Sequence, residues 1–283
     1  MVELNNNSRR ISLKKYPLVI CYVLCILLHV IFLLISELIL IEPFGTLVTW
    51  TPNIAAFIVV SIILKEKRGI RKLLKGWTKW RVNIWSYVIA LSSILIAFLS
   101  VGIYYLLGGK APSPDERMYF DISFLPFLLL YPIITGATGE EAGWRGFFLP
   151  RLQKRFNPVL ASIIIGIIWA CWHLPAYIFT PYYEAIPFWI FLPLLTADSV
   201  IITWAYNKSK GSLLIASLTH YSLNFSQNLP LLLNLVPLNT TVLIFYLIIH
   251  IIYALIVVVL VGSNLSKDSD SAIQTEMKEK MLD

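Results

Sequence analysis

The chain has 283 residues, of which 58% are hydrophobic and only 14% charged, with a formal net charge of +7 and a mean hydropathy of +0.74. A soluble globular domain is about 45–50% apolar and about 25% charged, so this composition excludes a soluble enzyme and calls for a lipid bilayer as solvent. The basic residues lie in short clusters between apolar runs, where positive charge reports membrane orientation; a nucleic-acid partner is excluded on the same ground.

Apolar runs fall at 17–41, 46–64, 82–107, 122–141, 159–180, 187–206, 212–231 and 241–262. A membrane-spanning helix takes about 20 residues. The runs are continuous and rich in Leu and Ile rather than alternating with period two, which points to helices and away from a barrel. The expected fold is therefore all-α, a polytopic membrane helix bundle of about eight transmembrane helices. The arm 1–16 precedes the bundle, the embedded domain covers 17–262, and the mixed-charge stretch 263–283 reads as a polar tail. The arm has the charge of a signal peptide. Its apolar run is too long and lacks a small-residue cleavage site, so an uncleaved first span is expected. Cys21, Cys25 and Cys171 all lie inside apolar runs and offer no disulfide framework or CxxC metal site.

Of the 23 Lys and Arg residues, 21 fall in the arm, in 65–81, in 144–157, in 207–211 and in the tail, leaving only Lys110 and Arg117 in the loop after the third run. Alternate loops thus divide the charge unequally, and both termini are expected to face the cytoplasm. The basic segment 65–81, carrying Trp77 and Trp80, is expected to lie along the inner interface.

An ionisable side chain inside a span costs about 2.5–3.5 kcal/mol, so each one needs a function or a partner. Glu140, Glu141 and Arg145 occur in the string TGEEAGWRG. On a helix Glu141 and Arg145 share a face and can pair, while Glu140 points elsewhere and suits the general base that activates water. The alternative is a pair that simply ends the helix. His173 follows Trp169 by four residues, and Pro175 is expected to loosen the helix just beyond. His220 and Asn224 share a face in the same way and can donate to a developing oxyanion, or else form a packing pair between helices.

Together these residues are the parts for activating water against a carbonyl. Glu140, His173 and His220 also make a set that could bind zinc, and the choice between metal-assisted and metal-free activation stays open. At about 1.5 Å per residue His173 lies roughly 21 Å from Val159 and His220 about 12 Å from Ser212, so helix geometry must bring them level. His29, His250, Cys21 and Cys25 read as core or lipid-facing residues. Glu37 is placed at the outer end of the first span. Asp198, near the middle of the sixth run, needs a partner, and His173 or His220 is one candidate among others.

These strings resemble the prokaryotic branch of the CPBP family, also called the Abi or type II CAAX prenyl endopeptidase family of intramembrane proteases. The resemblance rests on EExxxR at Glu140, Glu141 and Arg145, on (F/W)xxxH at Trp169 and His173, and on HxxxN at His220 and Asn224, and it is best over 139–224. It implies an endopeptidase of the cell membrane whose cavity opens toward the cytoplasm. Glu140 would activate water with the aid of His173, His220 and Asn224 would hold the oxyanion, and Glu141 and Arg145 would support Glu140. A divalent metal such as zinc is the cofactor left open. The implied partner is a peptide or membrane-protein substrate. Eukaryotic relatives cut prenylated CAAX proteins, whereas bacterial relatives are associated with bacteriocin immunity and peptide processing. A non-catalytic immunity or scaffold protein that binds a peptide is the alternative, and a proton-coupled transporter a third reading that no half-to-half symmetry supports.

Overall fold

A computed structural model describes residues 13–39, 42–117, 125–180 and 185–266, and these form a bundle of helices with no strand among the described residues. Residues 1–12 and 267–283, most of the expected arm and tail, lie outside them. Among the described residues five helices are long and apolar enough to cross a bilayer: α1 (Pro17–Ile39), α5 (Ile84–Leu106), α9 (Pro158–Trp172) continued by α10 (Leu174–Phe179), α11 (Phe188–Lys208) and α13 (Thr240–Val261). Polar side chains start four of the apolar helices. Asn83, Asn157, Ser212 and Asn239 accept from backbone N–H groups in the first turns of α5, α9, α12 (Leu213–Leu232) and α13, which satisfies donors that lipid cannot.

The other expected spans are helical but not uniform. The run at 46–64 is not one spanning helix: α2 (Glu42–Thr49) stops at Trp50, and α3 (Thr51–Ile58) restarts with Pro52 in its first turn and ends in a π-helical turn, Val59–Ile63. Proline has no N–H to carry a helix through that point. From 125 to 152 the backbone is continuously helical but alternates in type. It runs through α6 (Leu125–Pro132), a π turn at Ile133–Ala137, α7 (Thr138–Glu141), a longer π stretch at Ala142–Phe148 and α8 (Leu149–Leu152). Such π turns recur at functional sites because they re-aim side chains. Pro175 has the expected effect, since α9 ends at Trp172 and α10 restarts after His173.

Helix α11 is the most buried of the long spans and packs against α9 and α13, while α12 lies along α5 and α1 covers α2 and α3. The basic segments gather at one end of the bundle. Arg151 pairs with Glu66 at 3.0 Å, Gln153 donates to Asn207, Lys79 donates to the carbonyl of Lys210, and Val159 N–H donates to Ser263. Trp77 joins them by donating to Ser217 on α12. At the other end, the Tyr105 hydroxyl donates to the carbonyl of Leu235, close to the loop that carries Lys110.

Candidate active site

Helices α2 and α3 hold the interrupted 125–152 helix from outside. Trp50 donates to the carbonyl of Ile134 at 3.0 Å, and the fully buried Asn53 does double duty, donating to Thr138 at 2.7 Å and accepting from Gly143 N–H at 2.8 Å. Those two backbone groups flank Glu140 and Glu141. A π stretch gives up the regular i→i−4 ladder, and the Asn53 amide replaces what is lost.

Both carboxylates are buried and they face different partners. Glu141 Oε1 accepts from Arg145 at 3.0 Å and from Nδ1 of His220 at 2.8 Å, so the i, i+4 pairing expected from sequence is present and a histidine from α12 completes it. Arg145 also donates to the Ser199 hydroxyl at 3.2 Å, and Ser199 in turn donates to the carbonyl of Ser162. Glu140 Oε2 instead accepts from two indoles, Trp169 at 2.6 Å and Trp144 at 3.2 Å. The two acids are therefore chemically distinct: one is neutralised by a cation, the other held by neutral donors.

Trp169 is the residue on which the set converges. Its carbonyl accepts from Nδ1 of His173 at 2.9 Å, its ring centroid lies 4.9 Å from that of His220, and the Arg145 guanidinium sits 5.3 Å above it. A carbonyl oxygen can only accept, so Nδ1 of His173 carries the hydrogen and Nε2 is the ring's acceptor. By the same reasoning His220 donates from Nδ1 to the Glu141 carboxylate. Trp169, one turn before His173, is the α9 residue that meets His220 of α12.

The third oxygen-facing group is Asn224. A Cβ placed on Gly136, in the π turn of the same long helix, would lie 3.4 Å from Asn224 Nδ2, 3.6 Å from Glu140 Oε1 and 3.7 Å from His220 Nε2. Glu140, His220 and Asn224 therefore point their polar tips at one small volume. Among the described residues no three His, Cys, Asp or Glu side chains are grouped so as to hold a metal ion.

Asp198 corrects one candidate pairing from the sequence. It contacts neither His173 nor His220; its Oδ1 lies 2.6 Å from Nδ1 of His250 on α13, and its Oδ2 accepts from Gln227 on α12 at 3.1 Å. His250 is thus a paired residue and not an unaccompanied one. His29 is buried and meets Trp172 edge-on, with centroids 4.6 Å apart, and Cys21 and Cys25 are core residues. Sequence reasoning also missed Trp144, Asn53, Ser199 and Gly136. Only Trp144 carried a local signal, four residues after Glu140 in the same string.

Fold and site define a membrane-embedded helix bundle with a buried, two-carboxylate polar centre. The family model of type II CAAX prenyl endopeptidase Rce1-like proteins matches residues 122–226, which hold every residue of that centre from Glu140 to Asn224. The chain is also 30% identical over 196 residues to CAAX prenyl protease 2 of Methanococcus maripaludis, an alignment covering 63% of this chain and 70% of the relative. The chain belongs to the type II CAAX prenyl endopeptidase family.

Proposed function

We propose that this protein is an intramembrane endopeptidase in which Glu140 activates the attacking water. The observation that carries the reading is the convergence of Glu140 Oε1, His220 Nε2 and Asn224 Nδ2 on one small volume beside Gly136. A water there gives a proton to Glu140 as its oxygen bonds to the scissile carbonyl carbon, and the carbonyl oxygen takes the negative charge. Asn224 donates from its amide to that oxygen. His220, held through Nδ1 by Glu141 and carrying a second hydrogen on Nε2, donates from the other side. When the C–N bond breaks, the proton held by Glu140 passes to the leaving nitrogen, with the His173 ring fixed by Trp169 as the second proton carrier. Glu141 and Arg145 position His220 and balance its charge. No step is routed through a metal.

The basic end of the bundle faces the cytoplasm in this reading, and His220 lies about 12 Å from Ser212 at that end, so cleavage occurs near the inner face. The substrate is a peptide or the terminal segment of a membrane protein; a prenylated cysteine beside the scissile bond is the natural first probe, given the name of the relative. The test is purified protein in detergent with quenched peptides, half of them S-prenylated, with and without chelator. Cleavage that persists in chelator is the expected result. Loss in chelator with recovery on added zinc would overturn the metal-free mechanism, and a well-folded protein that binds the peptides without cutting any of them would favour a peptide-binding immunity protein instead.

A further inference from the structure

The long helix that carries the carboxylates contains glycines at 136, 139, 143 and 146, and they serve different ends. A Cβ on Gly139 would come within 2.9 Å of the Thr49 carbonyl, and one on Gly143 within 2.6 Å of the Pro52 backbone, so these two let α2 and α3 approach the helix closely. Nothing of that kind applies at Gly136. Its backbone is helical, and the three nearest heavy atoms to an added Cβ are Asn224 Nδ2, Glu140 Oε1 and His220 Nε2, at 3.4–3.7 Å. Those are ordinary van der Waals separations, so packing accepts a methyl group here. Helical backbone in turn favours alanine over glycine. Conformation and packing would both be served by a larger residue, and chemistry is what remains to explain the glycine.

We propose that Gly136 is a positioning residue for hydrolysis: its bare Cα keeps clear the volume in which the attacking water stands between Glu140 and the Asn224–His220 donor pair. The inference rests on the endopeptidase reading above and adds a residue outside the motifs that define it. A methyl group at this point stands 3.6 Å from the carboxylate oxygen, where the water must be to give up its proton, while the peptide chain on either side of the scissile bond keeps its contacts. The water's loss therefore falls on the chemical step rather than on substrate binding.

The experiment compares Gly136→Ala with the wild-type chain on a cleaved quenched peptide, reading kcat, KM and the thermal midpoint in detergent. Gly102→Ala on α5, where nothing lies within 4 Å of an added Cβ, serves as the control for a generic helix substitution. For Gly136→Ala the expected result is a midpoint at or above wild type, an unchanged KM and a kcat lower by on the order of 100-fold. A wild-type kcat overturns the proposal. So does a loss of activity that follows a lowered midpoint, as does a raised KM with kcat intact. Glu140→Gln runs beside it. If that variant cleaves normally the endopeptidase mechanism itself fails, whereas an inactive Glu140→Gln with a fully active Gly136→Ala removes only the role of Gly136.

Discussion

The indole N–H of Trp169 lies 2.6 Å from Oε2 of Glu140, and the backbone carbonyl of the same residue holds Nδ1 of His173 at 2.9 Å. One residue on α9 therefore sets both the orientation of the carboxylate on the interrupted helix, through its indole, and the tautomer of the histidine beyond it, through its backbone carbonyl. Because Oε2 is occupied by two indoles, Oε1 is the oxygen turned toward His220 and Asn224.

Trp169→Phe keeps an aromatic ring against His220 but removes the donor to Glu140. A hydrogen bond to a charged group contributes about 1.5–3 kcal/mol. With the carboxylate free to turn, kcat is expected to fall roughly 10- to 100-fold. The thermal midpoint should fall by several degrees without loss of the fold. Single-turnover cleavage measured beside thermal unfolding checks this, and an unchanged rate would show that Glu140 needs no such anchor.

Arg145→Met leaves Glu141 buried with only His220 to offset its charge. Breaking one side of a buried ion pair costs about 3–5 kcal/mol, so this variant is expected to unfold far below wild type. Adding Glu141→Gln removes the orphaned charge and restores much of that stability without restoring cleavage. If the double variant is no more stable than Arg145→Met, the two residues are not energetically coupled.

The pair Asp198 and His250 ties α11 to α13 through a 2.6 Å contact. A double-mutant cycle with Asp198→Asn and His250→Gln is expected to give a coupling of about 1–3 kcal/mol in stability. Cleavage per folded molecule should survive. Additive effects on unfolding would break the proposed link between these helices.

Much of the site was legible because its first contacts are local. Glu141 with Arg145 and Trp169 with His173 are each four residues apart, and helical spacing alone puts them in reach. Apolar runs likewise announced a helical bundle, since lipid leaves the backbone no other solution, but they pointed to about eight spans where five of the described helices are long and apolar enough to cross. Long-range choices were not legible. Asp198 could have met any histidine in the bundle, and nothing in the string around it distinguishes His250 on α13 from His220 on α12. The π turns were hidden too, because they depend on Asn53 from another helix replacing backbone hydrogen bonds at Thr138 and Gly143. Gly136 was unreadable for a related reason: its role lies in what surrounds an absent side chain.

The central claim is that Glu140 moves the proton of the attacking water, and Glu140→Gln tests it most directly. The amide keeps the shape of the side chain but has no carboxylate to take that proton. The measurement is the cleavage rate of one quenched peptide by wild type and Glu140→Gln, at matched folded concentration in detergent. General-base catalysis contributes about 100- to 10,000-fold, so the rate is expected to fall within or beyond that range while the variant still binds the peptide. A Glu140→Gln protein that cleaves at the wild-type rate would contradict the mechanism outright.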